Sequence, residues 1–189
     1  MIDTLGFLAQ AGIATSGAGI DRAASARARI VVVRGWRVAF IGMTTVPGSD
    51  HSVPASAPSV FFPADVAEAA ESIRSVRPGA DVVVVHVHHG VEYEKSERDE
   101  DRAFLRAVAD AGADVVVGHH PHVARGVEVR GNSVIAHSLG NFIFDHTEDP
   151  GTDSSFLLEI TLSVGAPPRW RAIPFRIKNA VPTIVSPGA

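Results

Sequence analysis

All but one of the nine histidines fall between His86 and His146, and most of them form two tight groups. The first is His86, His88 and His89; the second is His119, His120 and His122. Neutral imidazole is the commonest metal-binding side chain and suits Zn, Fe, Mn or Ni, depending on what completes the shell. Along an extended strand side chains alternate, so His86 and His88 point one way and His89 the other. In His119-His120-Pro121-His122 the proline fixes the backbone and leaves His120 and His122 two apart on a short rigid turn. Imidazoles held that way converge on one or two ions at little ordering cost. A lone histidine is usually a hydrogen-bonded core or surface group, but packing gives no reason to gather several at two strand ends. The cluster is therefore read as a site for divalent metal. His88, His120 and His122 are the foremost ligand candidates, with His86 and His119 as supporting partners.

Other polar residues sit close by in sequence. Glu92 is either a contact for metal-bound water or a substrate group, or a solvated surface charge. Residues 94–102 read as the acidic entry of a helix with a mixed-charge face. In the segment 138–145, Gly140 permits an unusual backbone angle and Asn141 can hydrogen-bond a neighbouring loop. Phe142 and Phe144 are expected in the core. His137 is either a partner of the site or a structural histidine. Ser138 has no triad pattern around it and is not read as a nucleophile.

The elements that must position these groups follow an α/β order and then an all-β one. Helices are expected at 3–11 with Gly12 as C-cap, around 22–28, at 64–76 and at 97–111. Residues 30–33 and 37–42 form a hairpin turned at Arg34-Gly35. Residues 46–63, rich in Pro and Ser, read as a long loop, either a mobile insertion or a lid near a site. Two valine runs, at 81–87 and 114–117, begin alike as Gly-Ala-Asp-Val-Val-Val and end in the histidine groups. Continuous apolar strands of this kind are expected where helices cover both faces of a parallel sheet. Ligands gather beyond the carboxyl ends of such strands. After residue 123 helical periodicity stops. A hairpin at 127–136, turned at Gly131-Asn132, and strands at 156–164 and 170–177 are expected to close a mixed sheet.

Composition excludes several classes. The 189 residues suit one domain, with 46% hydrophobic and 20% charged residues. A net charge of −4 gives no basic surface for nucleic acid. The acid-free C-terminal stretch with Arg169, Arg171, Arg176 and Lys178 reads as a solvated strand face. Without cysteine, disulfides, thiolate metal sites and a cysteine nucleophile are all excluded. The N-terminus lacks the pattern of a signal peptide, and no apolar run approaches the ~20 residues of a membrane span.

Three motifs then carry a resemblance. His88-His89-Gly90-Val91-Glu92-Tyr93 resembles the "HWGxEY" segment of CapA-type proteins of poly-γ-glutamate capsule synthesis. The run from Ala111 through Gly118-His119-His120-Pro121-His122-Val123 is similar to their "GADxVxGxHPHV" motif, and Ser138-Leu139-Gly140-Asn141-Phe142-Ile143-Phe144-Asp145 to "SLGNFxFD". The likeness covers essentially the whole chain, with His89 standing where the family often has Trp. It implies an α/β sandwich of the calcineurin-like metallophosphatase superfamily. Two αβ units followed by antiparallel strands would form one N-terminally incomplete domain over residues 1–189. It further implies that His88 is the isolated histidine ligand and that His120 and His122 are the paired ligands of a "GHxH"-type motif. His86, Glu92, His119 and Asn141 would then support these ligands or contact substrate.

The Asp, bridging acid and Asn-His pair that complete a dinuclear centre in that superfamily are expected to precede Met1; Asp50-His51 lies in the wrong surroundings to replace them. Divalent Mn, Zn or Fe is the implied cofactor, bound as a pair only in the full-length domain. The implied partners are poly-γ-glutamate or a capsule-assembly complex. Relatives are commonly membrane-anchored and extracytoplasmic, while this sequence leaves its own compartment open. The intact domain is expected to be a metal-dependent, phosphoesterase-like hydrolase, and this chain by itself an impaired or inactive one with an incomplete metal site. A non-catalytic accessory polymer-binding or assembly component, or an inactive gene fragment, are the alternatives.

Overall fold

The computed structural model describes residues 1–48, 53–145, 149–163 and 165–185. Helix α1 (Ile2–Gln10) ends where Gly12 takes a φ of +70°. It buries none of its residues. A two-residue strand β1 (Ala18–Gly19) runs antiparallel to β4 (Ser59–Val60), so the long Pro/Ser segment is pinned near its end. Between them come α2 (Arg22–Ser25), β2 (Arg29–Val33) and β3 (Trp36–Thr44). The β2–β3 hairpin turns at Arg34 and Gly35, both with positive φ, the geometry that matches the twist of the flanking strands. Positions 49–52 lie outside the described residues, and with them Asp50 and His51.

Two crossovers build the site's platform. They are β3 to α3 (Val66–Val76) to β5 (Val82–His88), and β5 to α4 (Asp99–Asp110) to β6 (Val115–His119). Asp65 caps α3 by accepting from the Glu68 amide at 2.9 Å, and Glu68 in turn accepts from the Ala64 amide at 2.6 Å. The cap satisfies the Glu68 amide, which the first helical turn leaves without a partner, and the Glu68 carboxylate fastens the residue before the cap. Glu68 also holds Arg22 at 2.7 Å, tying α2 to α3. In α4 the acids Asp99, Glu100 and Asp101 occupy the positive end of the helix dipole.

The six-stranded sheet has the order β2-β3-β5-β6-β8-β7. Strands β3, β5, β6 and β8 (Ser133–Ala136) are parallel; β2 and β7 (Val127–Arg130) are antiparallel edges. Because β3, β5 and β6 advance in one direction, crossovers of one hand place α3 and α4 on the same face. That overturns the expectation of helices on both faces. Along β3, Ala39, Ile41 and Met43 are buried and alternate with partly exposed neighbours. Val83, Val85 and Val87 of β5 join them in a core with Ile73 of α3 and with Leu105 and Val108 of α4. Each such side chain contributes about 1.5–3 kcal/mol by leaving water.

The paired Gly-Ala-Asp sequences do one job twice. The Asp81 amide donates to the Arg37 carbonyl at 2.8 Å, while its carboxylate accepts from the Arg37 amide at 2.7 Å. The Asp114 amide donates to the Val83 carbonyl at 2.9 Å, and its carboxylate accepts from the Val83 amide at 2.7 Å. Each aspartate therefore sets the register of its strand against the preceding one.

The last strands do not close this sheet, contrary to expectation. β9 (Ser154–Ser163), β10 (Ala166–Lys178) and β11 (Val181–Ile184) form a separate antiparallel sheet. The third of these has no counterpart among the expected strands. No helix among the described residues is long and apolar enough to cross a membrane.

Candidate metal centre

Parallel strands bring their carboxyl ends to one edge, and the register places Thr44, His88 and His119 side by side there. Val83, Val85 and Val87 face the helices, so His86 and His88 face the opposite side. His89, next along, is only 1% exposed, and its Nε2 lies 3.1 Å from the His137 carbonyl oxygen. The expected alternation therefore holds. Gly118 explains how β6 passes over this ring. A Cβ at that position would strike the His137 carbonyl and come within 2.5 Å of His89 Nε2.

Beyond β6 the backbone turns sharply. His120 and His122 have φ of +99° and +59°, a region non-glycine residues seldom occupy. Tyr93, at +64°, donates its amide to the Pro121 carbonyl at 2.9 Å and so joins the loop after β5 to the loop after β6. The result is convergence: one ligand atom from each of Glu92, His120 and His122 lies within 4.8 Å of the others. The His88 ring sits 4.4 Å from that of His120, centroid to centroid. The sequence reading gave Glu92 a supporting place; in the fold its carboxylate comes within the same 4.8 Å group as His120 and His122, with the His88 ring against His120.

His122 is the most constrained member. Tyr93 and Phe144 stack on it at 5.8 and 5.1 Å. Its Nδ1 lies 2.8 Å from Asn141 Oδ1, and Asn141 donates from Nδ2 to the Thr152 carbonyl at 3.1 Å. Phe144, expected in the core, is only half-buried and serves as a wall for this ring. Phe142 is 49% exposed and rests edge-on against Phe175 of β10.

His86 and His119 form a second, adjoining pair. Their rings stack at 5.2 Å, and Nδ1 of His86 lies 2.9 Å from Nε2 of His119. Together with His88 they line a cleft of about 400 Å³ bordered by Gly17, Gly42 and Val60. Val60 belongs to the long loop, so part of that loop does lie beside the cluster.

Burial favours the neutral form of His86, His88, His119 and His120. Burial lowers the pKa of His86, and burial together with His86 pushes His119 down to about 4. His88 is lowered by burial and then by His120 and His122; His120 is lowered by burial, against the opposing pull of Glu92. A neutral imidazole keeps a lone pair for a metal. The His120 and His122 rings beside the Glu92 carboxylate are a donor set that fits a divalent cation of the Mn, Fe or Zn kind.

Sequence reasoning passed over the groups behind this edge. The Arg125 guanidinium, nearly buried, donates from Nε and Nη2 to the Glu94 carbonyl at 3.1 and 2.7 Å, fastening the loop that carries Glu92. His137 is buried between two acids, 2.8 Å from Glu97 and 3.4 Å from Glu128. No periodicity or spacing marks such long-range pairs. His146 falls outside the described residues.

Fold and edge together define an α/β domain with a parallel-stranded sheet whose carboxyl edge carries a cluster of histidines. NAD nucleotidase from Haemophilus influenzae superposes with a TM-score of 0.53 over 87% of this chain and 34% of that one, at 14% identity, a likeness of fold alone. The chain belongs to the family described as bacterial capsule synthesis protein PGA_cap, which matches residues 1–146. It is 37% identical over 186 residues to the PGA biosynthesis protein CapA of Bacillus subtilis (strain 168), covering 98% of this chain and 48% of that protein. It is also 32% identical over 175 residues to a probable polyglutamine synthesis accessory protein of Mycobacterium tuberculosis, covering 86% of this chain and 45% of that protein. The chain thus spans about half the length of these two relatives.

Proposed function

We propose that this chain acts in the synthesis of a poly-γ-glutamate capsule and that Glu92, His120 and His122, with His88 beside them, hold a divalent cation. The family match supports the capsule role, and one observation carries the metal site, the convergence of three ligand atoms within 4.8 Å at the carboxyl edge of a parallel sheet. A cation bound there would polarise a phosphoryl or carbonyl oxygen and lower the pKa of water. The protein's own residues supply the rest. Burial lowers the His120 pKa and so leaves its lone pair free, Arg125 keeps the Glu92 loop in place, and Tyr93 and Phe144 wall the His122 ring. The substrate class that suits this chemistry is a phosphoester or a polymer-linked group.

The test is metal content after equilibration with Mn, Zn or Fe(II) and gel filtration. Wild-type protein should retain metal, and His120→Ala, His122→Ala and Glu92→Gln should each lose most of it. Equal metal in all four proteins would sink the assignment.

A non-catalytic accessory role in polymer handling is the second reading, favoured by the description of the mycobacterial relative as an accessory protein. The two readings separate on turnover. Metal-loaded protein that binds poly-γ-glutamate but leaves p-nitrophenyl phosphate intact supports the accessory role; metal-dependent hydrolysis supports the enzyme.

A further inference from the structure

We infer that Asn141 is a positioning residue that fixes the tautomer of His122, so that the proton sits on Nδ1 and the Nε2 lone pair is offered to the cation. This rests on the metal-binding reading above and deepens it. Asn141 is 8% exposed, and its orientation is not free. Its Nδ2 donates to the carbonyl of Thr152, a residue with no exposure at all, so the side-chain oxygen must be the atom that meets His122 Nδ1 at 2.8 Å. An amide oxygen only accepts, so the ring nitrogen facing it must carry the hydrogen. Neutral imidazole has one such hydrogen, which leaves Nε2 as the ligand atom.

Two further features keep the contact in place. Gly140, at φ +77°, lets the turn pass close beneath Ser155. A Cβ at position 140 would collide with the Ser155 hydroxyl and lie 3.1 Å from the Ala124 amide nitrogen, so only glycine fits there. The stacked rings of Tyr93 and Phe144 define the plane of the His122 ring, and the Asn141 bond selects which edge faces inward. Thr152 lies in the turn before β9, so a segment outside the six-stranded sheet holds a residue of the site.

The experiment uses long-range ¹H–¹⁵N NMR of the histidine rings in metal-free protein, and calorimetric titration with Zn and Mn, on wild type, Asn141→Asp and Asn141→Leu. Wild-type His122 should be the Nδ1–H tautomer. Asn141→Leu should let the Nε2–H form appear and weaken metal binding roughly 10–100-fold, the usual loss for a partner of a metal-bound histidine. Asn141→Asp keeps an acceptor against Nδ1 and should restore the Nδ1–H form. An Nε2–H tautomer in wild type, or an unchanged tautomer in folded Asn141→Leu, would overturn the inference. The NMR readout needs no metal, so wild-type protein with the Nδ1–H tautomer and no metal affinity would sink the metal reading and leave the tautomer assignment standing.

Discussion

Strands β5 and β6 start alike and end differently. At their starts, Asp81 and Asp114 grip the backbone of the preceding strand in the same reciprocal way. At their ends, β5 runs on in regular alternation and disperses its histidines, with His88 exposed, His89 buried, and His86 paired to His119. β6 instead passes a glycine and enters a left-handed turn that brings His120 and His122 together. A common strand therefore supplies the location, and the turn after it supplies the convergence. Two strands with the same opening sequence need not contribute equally to a site.

The largest expected effect comes from removing what lets β6 end as it does. Gly118→Ala forces a methyl group into the His137 carbonyl and the His89 ring. The destabilisation should reach about 3 kcal/mol, a fall in Tm on the order of 10 °C. A melt within a degree or two of wild type would show that this close approach is not what shapes the turn.

Next comes the contrast between the two histidine pairs. His122→Ala should weaken Zn or Mn binding by more than about 100-fold, whereas His86→Ala should stay within the lower end of the 10–100-fold range of a supporting group. Equal losses in titration would erase the distinction between the strand ends. Arg125→Met should have a smaller effect. Losing two hydrogen bonds to the Glu94 carbonyl costs about 1–3 kcal/mol, seen as a lower denaturation midpoint.

The smallest effect concerns the strand starts. The Arg37 side chain and amide hold the Asp81 carboxyl at about 2. Its folded pKa is below the unfolded value near ~3.9, so its contribution is present above ~4 and fades as pH falls through about 2. The Tm gap between wild type and Asp81→Asn should be small at neutral pH and close further between pH 4 and 2. A gap that widens there would contradict the assignment.

Much of this was legible in the sequence for identifiable reasons. Valine runs, the Arg34-Gly35 turn and the helical periods are local signals, and each element they marked is present. The histidine groups were visible because residue type and spacing survive without coordinates. The arrangement of the layers was not, since helices on one face or two depends on the order of strands across the sheet. Glu92 had only a supporting place for a related reason: its meeting with His120 and His122 depends on the Tyr93–Pro121 bond between two loops. Glu97, Glu128 and Arg125 carry no pattern at all, only partners far along the chain.

The left-handed backbone at His120 has an evolutionary consequence. Holding a histidine at φ +99° costs of order 1–3 kcal/mol, which glycine would avoid. A library randomised at position 120 and sorted by heat resistance alone should drift toward glycine and discard an imidazole; one sorted by metal retention should keep histidine and tolerate the lower melting point. Selection for durability and selection for chemistry would diverge at this one codon.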